Sequence, residues 1–220
     1  MKNLLYKELK LSMNVQTWIY CFLVFVLMIP SWPSIVAFIY PLIGSTIIFS
    51  LANANRDMLY TALLPVKKKD IVRGKVLLMC FMELFCIIIS IPFGFLRLSF
   101  MELLPEETIY SDLGFNFALY GLVLMVYGIF NLIIFPWYYK RPDVKRVAPF
   151  LVSDVVAFFL LGIILVTFIL LPDLSSLVNS FSLQGIIAQM SFFVGGIIVF
   201  LVCAFLSDYL GGKAFQKVDI

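Results

Sequence analysis

The chain has 220 residues, 63% of them hydrophobic and only 13% charged, where soluble domains run at about 45–50% apolar and about 25% charged. A water-soluble fold cannot cover so much apolar surface and a disordered chain needs far more polarity, so both classes are excluded and a bilayer is the matching solvent. Histidine is absent, which removes the commonest metal ligand and general base and leaves no basis for a zinc- or histidine-dependent intramembrane enzyme.

Residues 1–14 set Lys2, Lys7 and Lys10 among Leu4, Leu5, Leu9 and Leu11, the segregation of an amphipathic helix lying on the membrane surface. A basic juxtamembrane tail is the plainer alternative. Apolar runs then cover residues 15–32, 33–52, 76–96, 115–138, 147–171 and 186–206, each near bilayer length, and predict six transmembrane helices in an all-α polytopic fold. No small-residue cleavage site closes the first run, so it is expected to persist as a span. Pro30, Ser31, Trp32 and Pro33 separate the first two runs and predict a tight helical hairpin. Pro41, Pro92 and Pro136 are candidate kinks, and Ser191 with Gly195 and Gly196 is a candidate close-packing patch. Cys21, Cys80, Cys86 and Cys203 all lie in apolar runs and read as buried thiols. In the connections, Leu103, Leu104, Pro105, Glu106 and Glu107 suit a short interfacial helix within residues 97–114, whereas residues 172–185 are mostly Ser and Leu.

Every Lys and Arg except Arg97 falls in the segments that six spans place on one side: the N-terminus, residues 53–75, residues 139–146 and the C-terminus. Basic side chains are retained in the cytoplasm, so both termini and the 53–75 connection are expected there, with Arg97 in an outer loop. That connection is organised. Asp57 can cap a short helix whose Met58, Leu59, Ala62 and Leu63 recur at helical spacing, Pro65 ends it, and Asp70 can start a second helix running into the third span. An apolar cytosolic helix carrying Tyr60 needs a partner groove or the bilayer, although it could also be a simple interfacial connector.

Two carboxyls lie within spans, Glu83 and Asp154, where an ionised group at the bilayer centre costs about 2.5–3.5 kcal/mol. Each is about 12 Å from the basic end of its helix. They can remain protonated or bonded to neighbouring polar groups and fix packing, or they can line an inward-facing pathway that attracts a cationic or amphipathic substrate.

Arg56-Asp57, Tyr60, Leu64-Pro65-Val66, the basic group Lys67 to Lys69, Asp70-Ile71-Val72 and Lys75 resemble the stretch after the second span in the membrane subunits of ABC-2 type (type V) exporters. These are small bacterial six-helix permeases that include antimicrobial and modulin peptide exporters. The surface helix, the tight hairpin and the tail Phe215-Gln216-Lys217-Val218-Asp219 also match, while members often carry arginine where Lys67 to Lys69 stand.

The resemblance implies one transmembrane domain over residues 1–220, with the coupling helix in the 53–75 loop. It places contact with a separate ATPase subunit on Arg56, Asp57, Met58, Leu59, Tyr60, Leu63 and Leu64. It further implies two ATPase copies, which bring ATP and Mg, and a second permease subunit as homodimer or heterodimer. The cargo is hydrophobic or amphipathic, with a peptide first among the choices, and the location is a bacterial plasma membrane. No cofactor bound by this chain, metal site or nucleic-acid partner follows from it. Gly74-Lys75 is followed by Val76 and Gly212-Lys213 by Ala214, so neither forms a nucleotide-binding loop and the chain is not expected to hydrolyse ATP itself. The rival reading is a non-transport assembly or sensor subunit that docks a cytosolic signalling protein through the same loop.

Overall fold

Asn14 makes the first turn of the chain: its side chain accepts the Thr17 N–H at 2.8 Å and caps the helix that follows. The computed structural model describes residues 2–63, 65–103, 113–140 and 148–218. Every regular element among the described residues is helical. The α-helices are α1 (Lys2–Ser12), α2 (Val15–Phe22), α3 (Ile39–Ala54), α4 (Asp57–Ala62), α5 (Lys68–Met101), α6 (Phe117–Lys140), α7 (Ala148–Leu170), α8 (Pro172–Asn179) and α9 (Leu183–Gln216). Tighter 3-10 turns extend α2 over Leu23–Met28 and lead into α3 over Ser34–Phe38.

Five helical stretches are long and apolar enough to cross a membrane: Ser34–Ala54, Lys68–Met101, Phe117–Lys140, Ala148–Leu170 and Leu183–Gln216. The expected first span, residues 15–32, departs from this. Its helical part ends at Met28, which gives about 24 Å of rise, and it reaches the required length only together with Leu4–Ser12, from which it is bent by 82°. The count is therefore five, or six if the bent pair forms one span. The third and sixth spans extend beyond the apolar windows 76–96 and 186–206, because α5 and α9 each run 34 residues as single helices. α5 continues through Pro92 and α6 through Pro136, while Pro41 falls in the first turn of α3, where its missing N–H costs little.

The hairpin turn at Ile29–Pro33 forms where the two prolines predict it, but its fastening comes from elsewhere. Arg97 was expected in an outer loop. It lies inside α5, enclosed, and its guanidinium donates to the carbonyls of Leu27 (3.2 Å), Ile29 (2.6 Å) and Pro30 (3.2 Å). A 3-10 segment that stops inside apolar surroundings leaves carbonyls without partners, and a fork of five donors is suited to collecting them.

Residues 104–112 and 141–147 lie outside the described residues, and with them the expected interfacial helix around Pro105. The Ser- and Leu-rich connection after α7 contains a helix, α8, which Pro172 opens at its first turn. Asn179 at its end accepts the Gly114 N–H and the Asn116 amide, both at 2.9 Å, and Gln189 donates to the Val178 carbonyl at 2.8 Å. These amide bonds fasten α8 to the starts of α6 and α9.

The core is centred on α6, whose Tyr127, Phe130, Ile134 and Phe135 are fully enclosed. Phe49 of α3 meets Phe135 and Tyr138 edge-on, at centroid distances of 5.3 and 4.9 Å. α6 and α9 make the closest backbone approach: a Cβ at Gly121 would run into the Phe192 backbone, and one at Gly196 into Gly121. Of the patch predicted from sequence, only Gly196 serves this contact. A Cβ at Gly195 would meet nothing within 4 Å, and the Ser191 hydroxyl bonds its own helix at Ile187. The four cysteines are free thiols; Cys21, Cys86 and Cys203 are buried and Cys80 is partly buried. Large apolar side chains on α7 and α9, including Val155, Phe159, Val194, Leu201 and Phe205, face outward, as surfaces bathed in lipid do.

Gly121→Val or Gly196→Val is expected to force α6 and α9 apart and to lower stability by about 3 kcal/mol, the upper end for overpacking. Gly195→Val is expected to be tolerated. Thermal unfolding of the three variants in one detergent compares them directly.

Candidate functional site

At the end of the bundle where α5 begins and α9 finishes, α1 lies across α5 with Leu4, Glu8 and Ser12 turned inward at four-residue spacing. The close approach depends on Gly74, where a Cβ would come within 2.9 Å of the Leu4 side chain. One residue further, Lys75 is only 3% exposed, and its ammonium bonds Glu8 Oε2 at 2.8 Å and Ser12 Oγ at 2.7 Å. Ser12 Oγ in turn donates to Glu8 Oε2 at 2.9 Å. Burial raises the Glu8 pKa, but attraction and hydrogen bonding from Lys75, and then from Lys7, outweigh it and hold the carboxyl below its ordinary value.

Lys7 carries the network onward. It bonds Glu8 Oε1 at 3.1 Å, pairs with Asp57 at 2.6 Å and reaches the Thr61 hydroxyl. Thr61 closes the group by donating to the Asp57 carbonyl at 2.7 Å. α4 thus has two sides. Asp57, Met58 and Thr61 face the bundle, whereas Arg56, Tyr60 and Leu63 are exposed, Tyr60 by 67% and Leu63 by 79%. Arg56 holds φ at 50°, in the left-handed region, so the corner between α3 and α4 is strained by roughly 1–3 kcal/mol. A groove of about 680 Å3 runs between α1 and α4, lined by Lys7, Leu11, Ser12, Asp57, Tyr60 and Thr61 among others.

Of the sequence-predicted contact residues, Arg56, Tyr60 and Leu63 form an outward surface, and Asp57 and Met58 serve the attachment of α4. Leu59 lies within α4, its side chain outside the described residues, as is Leu64 altogether. Lys7, Glu8, Ser12, Thr61 and Lys75 are not among the site residues that the sequence suggests. The Glu8 and Ser12 spacing on one face of α1 is the available signal.

The two carboxyls within spans have separate partners on separate helix pairs. Glu83 of α5 is fully enclosed and accepts the Asn131 amide of α6 at 2.8 and 3.0 Å. Asn131 Oδ1 has no bonding partner among the described residues. Asp154 of α7 is half-buried and accepts one hydroxyl, that of Thr46 in α3, at 2.9 and 3.0 Å. No group of three or more potential metal-binding side chains occurs among the described residues.

Apolar helices of bilayer length, with charged groups concentrated in a network at one end, define a multi-pass helical membrane protein. The chain belongs to the ABC-2 family transporter proteins, whose family model matches residues 3–216. It is thus the membrane subunit of an ABC transporter, with ATP hydrolysis the task of an ABC ATPase partner. Comparison with curated proteins and with solved structures gives no match.

Glu8→Ala is expected to cost about 3–5 kcal/mol, because it leaves the enclosed Lys75 ammonium without its counter-charge, whereas Lys75→Ala leaves Glu8 paired with Lys7 and costs less. A depressed carboxyl pKa stabilises the fold above the ordinary value of 4.5 and loses that contribution as pH falls through the lower, folded value. A spin label on exposed Leu11 is therefore expected to stay ordered down to pH 4.5 and to become mobile only below it, and to be mobile at neutral pH in Glu8→Ala. Glu83→Gln is expected to retain stability within about 1 kcal/mol by bonding Asn131 Oδ1, whereas Glu83→Leu strands the Asn131 amide and costs about 1–3 kcal/mol.

Proposed function

We propose that the chain is the permease of an ABC exporter and that α4 receives the stroke of the partner ATPase. The single observation that carries this reading is the Lys7 bridge, which joins Asp57 of α4 to Glu8 of α1, itself bonded to Lys75 of α5. Force applied to the outward face of Arg56, Tyr60 and Leu63 then passes through short ionic contacts into a 34-residue helix, instead of being lost in a loose loop. In this reading α4 is the coupling helix, α1 is its brace, and the groove between them completes the docking surface.

The distribution of Lys and Arg supports placing this end, with both termini, in the cytoplasm of a bacterial cell. Five or six crossings are few for a pathway, so the permease acts as a dimer, homomeric or heteromeric, with one ATPase on each subunit. The cargo is a hydrophobic or amphipathic molecule, an amphipathic peptide first among them, which Asp154 helps to attract. The Glu83–Asn131 pair fastens α5 to α6.

The test is co-purification with the ATPase followed by paired measurements of hydrolysis and export in inverted vesicles. Tyr60→Ala combined with Leu63→Ala is expected to weaken ATPase association about tenfold, as for loss of buried aromatic and apolar anchors. Asp57→Ala is expected to leave association in place and to uncouple hydrolysis from export of a fluorescent amphipathic peptide. Undiminished association of the Tyr60 and Leu63 double variant overturns α4 as the docking helix.

A further inference from the structure

Asp154 differs from Glu8, Asp57 and Glu83, since it sits at the margin of an outward apolar face with no basic partner among the described residues. Both of its oxygens share the single proton of the Thr46 hydroxyl, and no Lys or Arg is bonded to it among the described residues. A carboxylate has about four acceptor positions, so most of its capacity is unused. Glu8 is enclosed by two lysines and Asp57 is paired with one. Glu83 is closed off inside the helix packing.

Phe158 and Gly162 follow Asp154 at four-residue spacing along the same side of α7. Nothing lies within 4 Å of the point where a Gly162 Cβ would stand, and this notch belongs to an apolar groove of about 420 Å3 lined by Phe158, Phe159, Gly162, Ile163, Val166 and Leu170 among others. All of its lining belongs to α7, so the groove is open along its outer side. The groove begins one helical turn from the acid and reaches about 18 Å along the helix. The equally exposed apolar face of α9, from Val194 to Phe205, ends one turn before Asp208, but that acid is already paired with Arg73 at 3.1 Å.

We propose that Asp154, Thr46 and the Gly162 groove form a lateral binding site for a cationic amphipath, the transported molecule itself. Its ammonium group sits on Asp154 and the Thr46 oxygen, and its hydrocarbon chain lies along α7. The site deepens the permease reading and rests on it for the identity of the occupant as cargo. Charge complementarity selects the head group: an anionic head is repelled by the carboxylate, and an uncharged one gains no ionic attraction there. Entry is from the side, out of the bilayer, because the acid and the groove both open on the outward margin of α7.

The full chain is reconstituted in phosphatidylcholine nanodiscs and equilibrium binding of radiolabelled dodecylamine is measured. Saturable binding is expected, with dodecyl sulfate and dodecyl maltoside as poor competitors. Asp154→Asn and Gly162→Leu are each expected to weaken binding about tenfold or more, with Val194→Leu on α9 unchanged. Gly162→Leu points into open space and decides the matter alone if Asp154→Asn does not fold. Equal competition by dodecyl maltoside, or wild-type affinity in both variants, overturns the site. Displacement of dodecylamine by phosphatidylethanolamine added to the disc assigns the groove to a resident aminophospholipid, and loss of binding in a permease dimer assigns it to a second copy; either overturns the cargo site. Failure of the permease reading shows separately, as absence of a co-purifying ATPase with dodecylamine binding intact.

Discussion

Everything at the basic end of the molecule is arranged around one enclosed ion pair, Lys75 with Glu8. Taking both charges out of water costs several kcal/mol per ion, and the pair holds only because its geometry is close and its remaining donors and acceptors are occupied. Ser12 and Lys7 meet that condition, the first by bonding both partners and the second by taking the other Glu8 oxygen. Gly74 lets α1 come near enough for the contact, and the 82° bend after Ser12 follows, since α1 must lie across α5 while the next segment enters the bundle. α1 and the start of α5 are thereby one mechanical piece, to which Lys7 adds α4.

What was legible in the sequence was local. The hairpin between Pro30 and Pro33, the start of α4 at Asp57 and the helix that begins ahead of Asp70 depend on residues a few positions apart, and the structure has them there. Helix length was harder to read, because hydropathy reports where lipid is and not where hydrogen bonding stops. α5 and α9 continue past their apolar windows, and the ends that project carry polar contacts such as Arg73 with Asp208 at 3.1 Å and Lys68 with the Val218 carbonyl at 2.6 Å. The pairing of Lys75 with Glu8 spans 67 positions and that of Arg97 with the hairpin carbonyls a similar distance, and no local pattern announces either. Arg97 fell at the edge of an apolar run, where a basic residue ordinarily marks a loop; only the unfilled carbonyls of a 3-10 segment explain its position inside.

Glu83 and Asp154 look alike in the sequence, one acid each within an apolar run, and the fold separates them. Depth of enclosure and number of donors decide the difference. Glu83 meets an amide that can satisfy it from either end, fully enclosed between α5 and α6. Asp154 meets a single hydroxyl at the border between the packed and outward sides of α7. In the proposed scheme the first fastens helices and the second receives a counter-charge, a distinction that depends on Asn131 and Thr46, uncharged residues that nothing in the sequence sets apart.

The two ends of the bundle are held by different chemistry, and α5 joins them. At one end charged groups dominate, Lys7, Glu8, Asp57 and Lys75, while at the other Arg97 gathers carbonyls and Asn116, Asn179 and Gln189 make neutral amide bonds. α5 is about 51 Å long and is gripped by the N-terminal segment twice, through Glu8 near its start and through Leu27, Ile29 and Pro30 near its finish. In the proposed scheme a displacement of α4 therefore moves α1, α5 and the hairpin turn together. In that scheme the glycine-packed α6 and α9 supply a body for the unit to move against, because their backbones are in contact at Gly121 and Gly196. α7 is tied to α3 by the Thr46 hydroxyl on Asp154 and by Phe150 against Phe49, a neutral donor and a ring contact in place of the ionic and amide fastenings that hold α1, α5 and α8, and it is at this margin that the proposed scheme admits a solute.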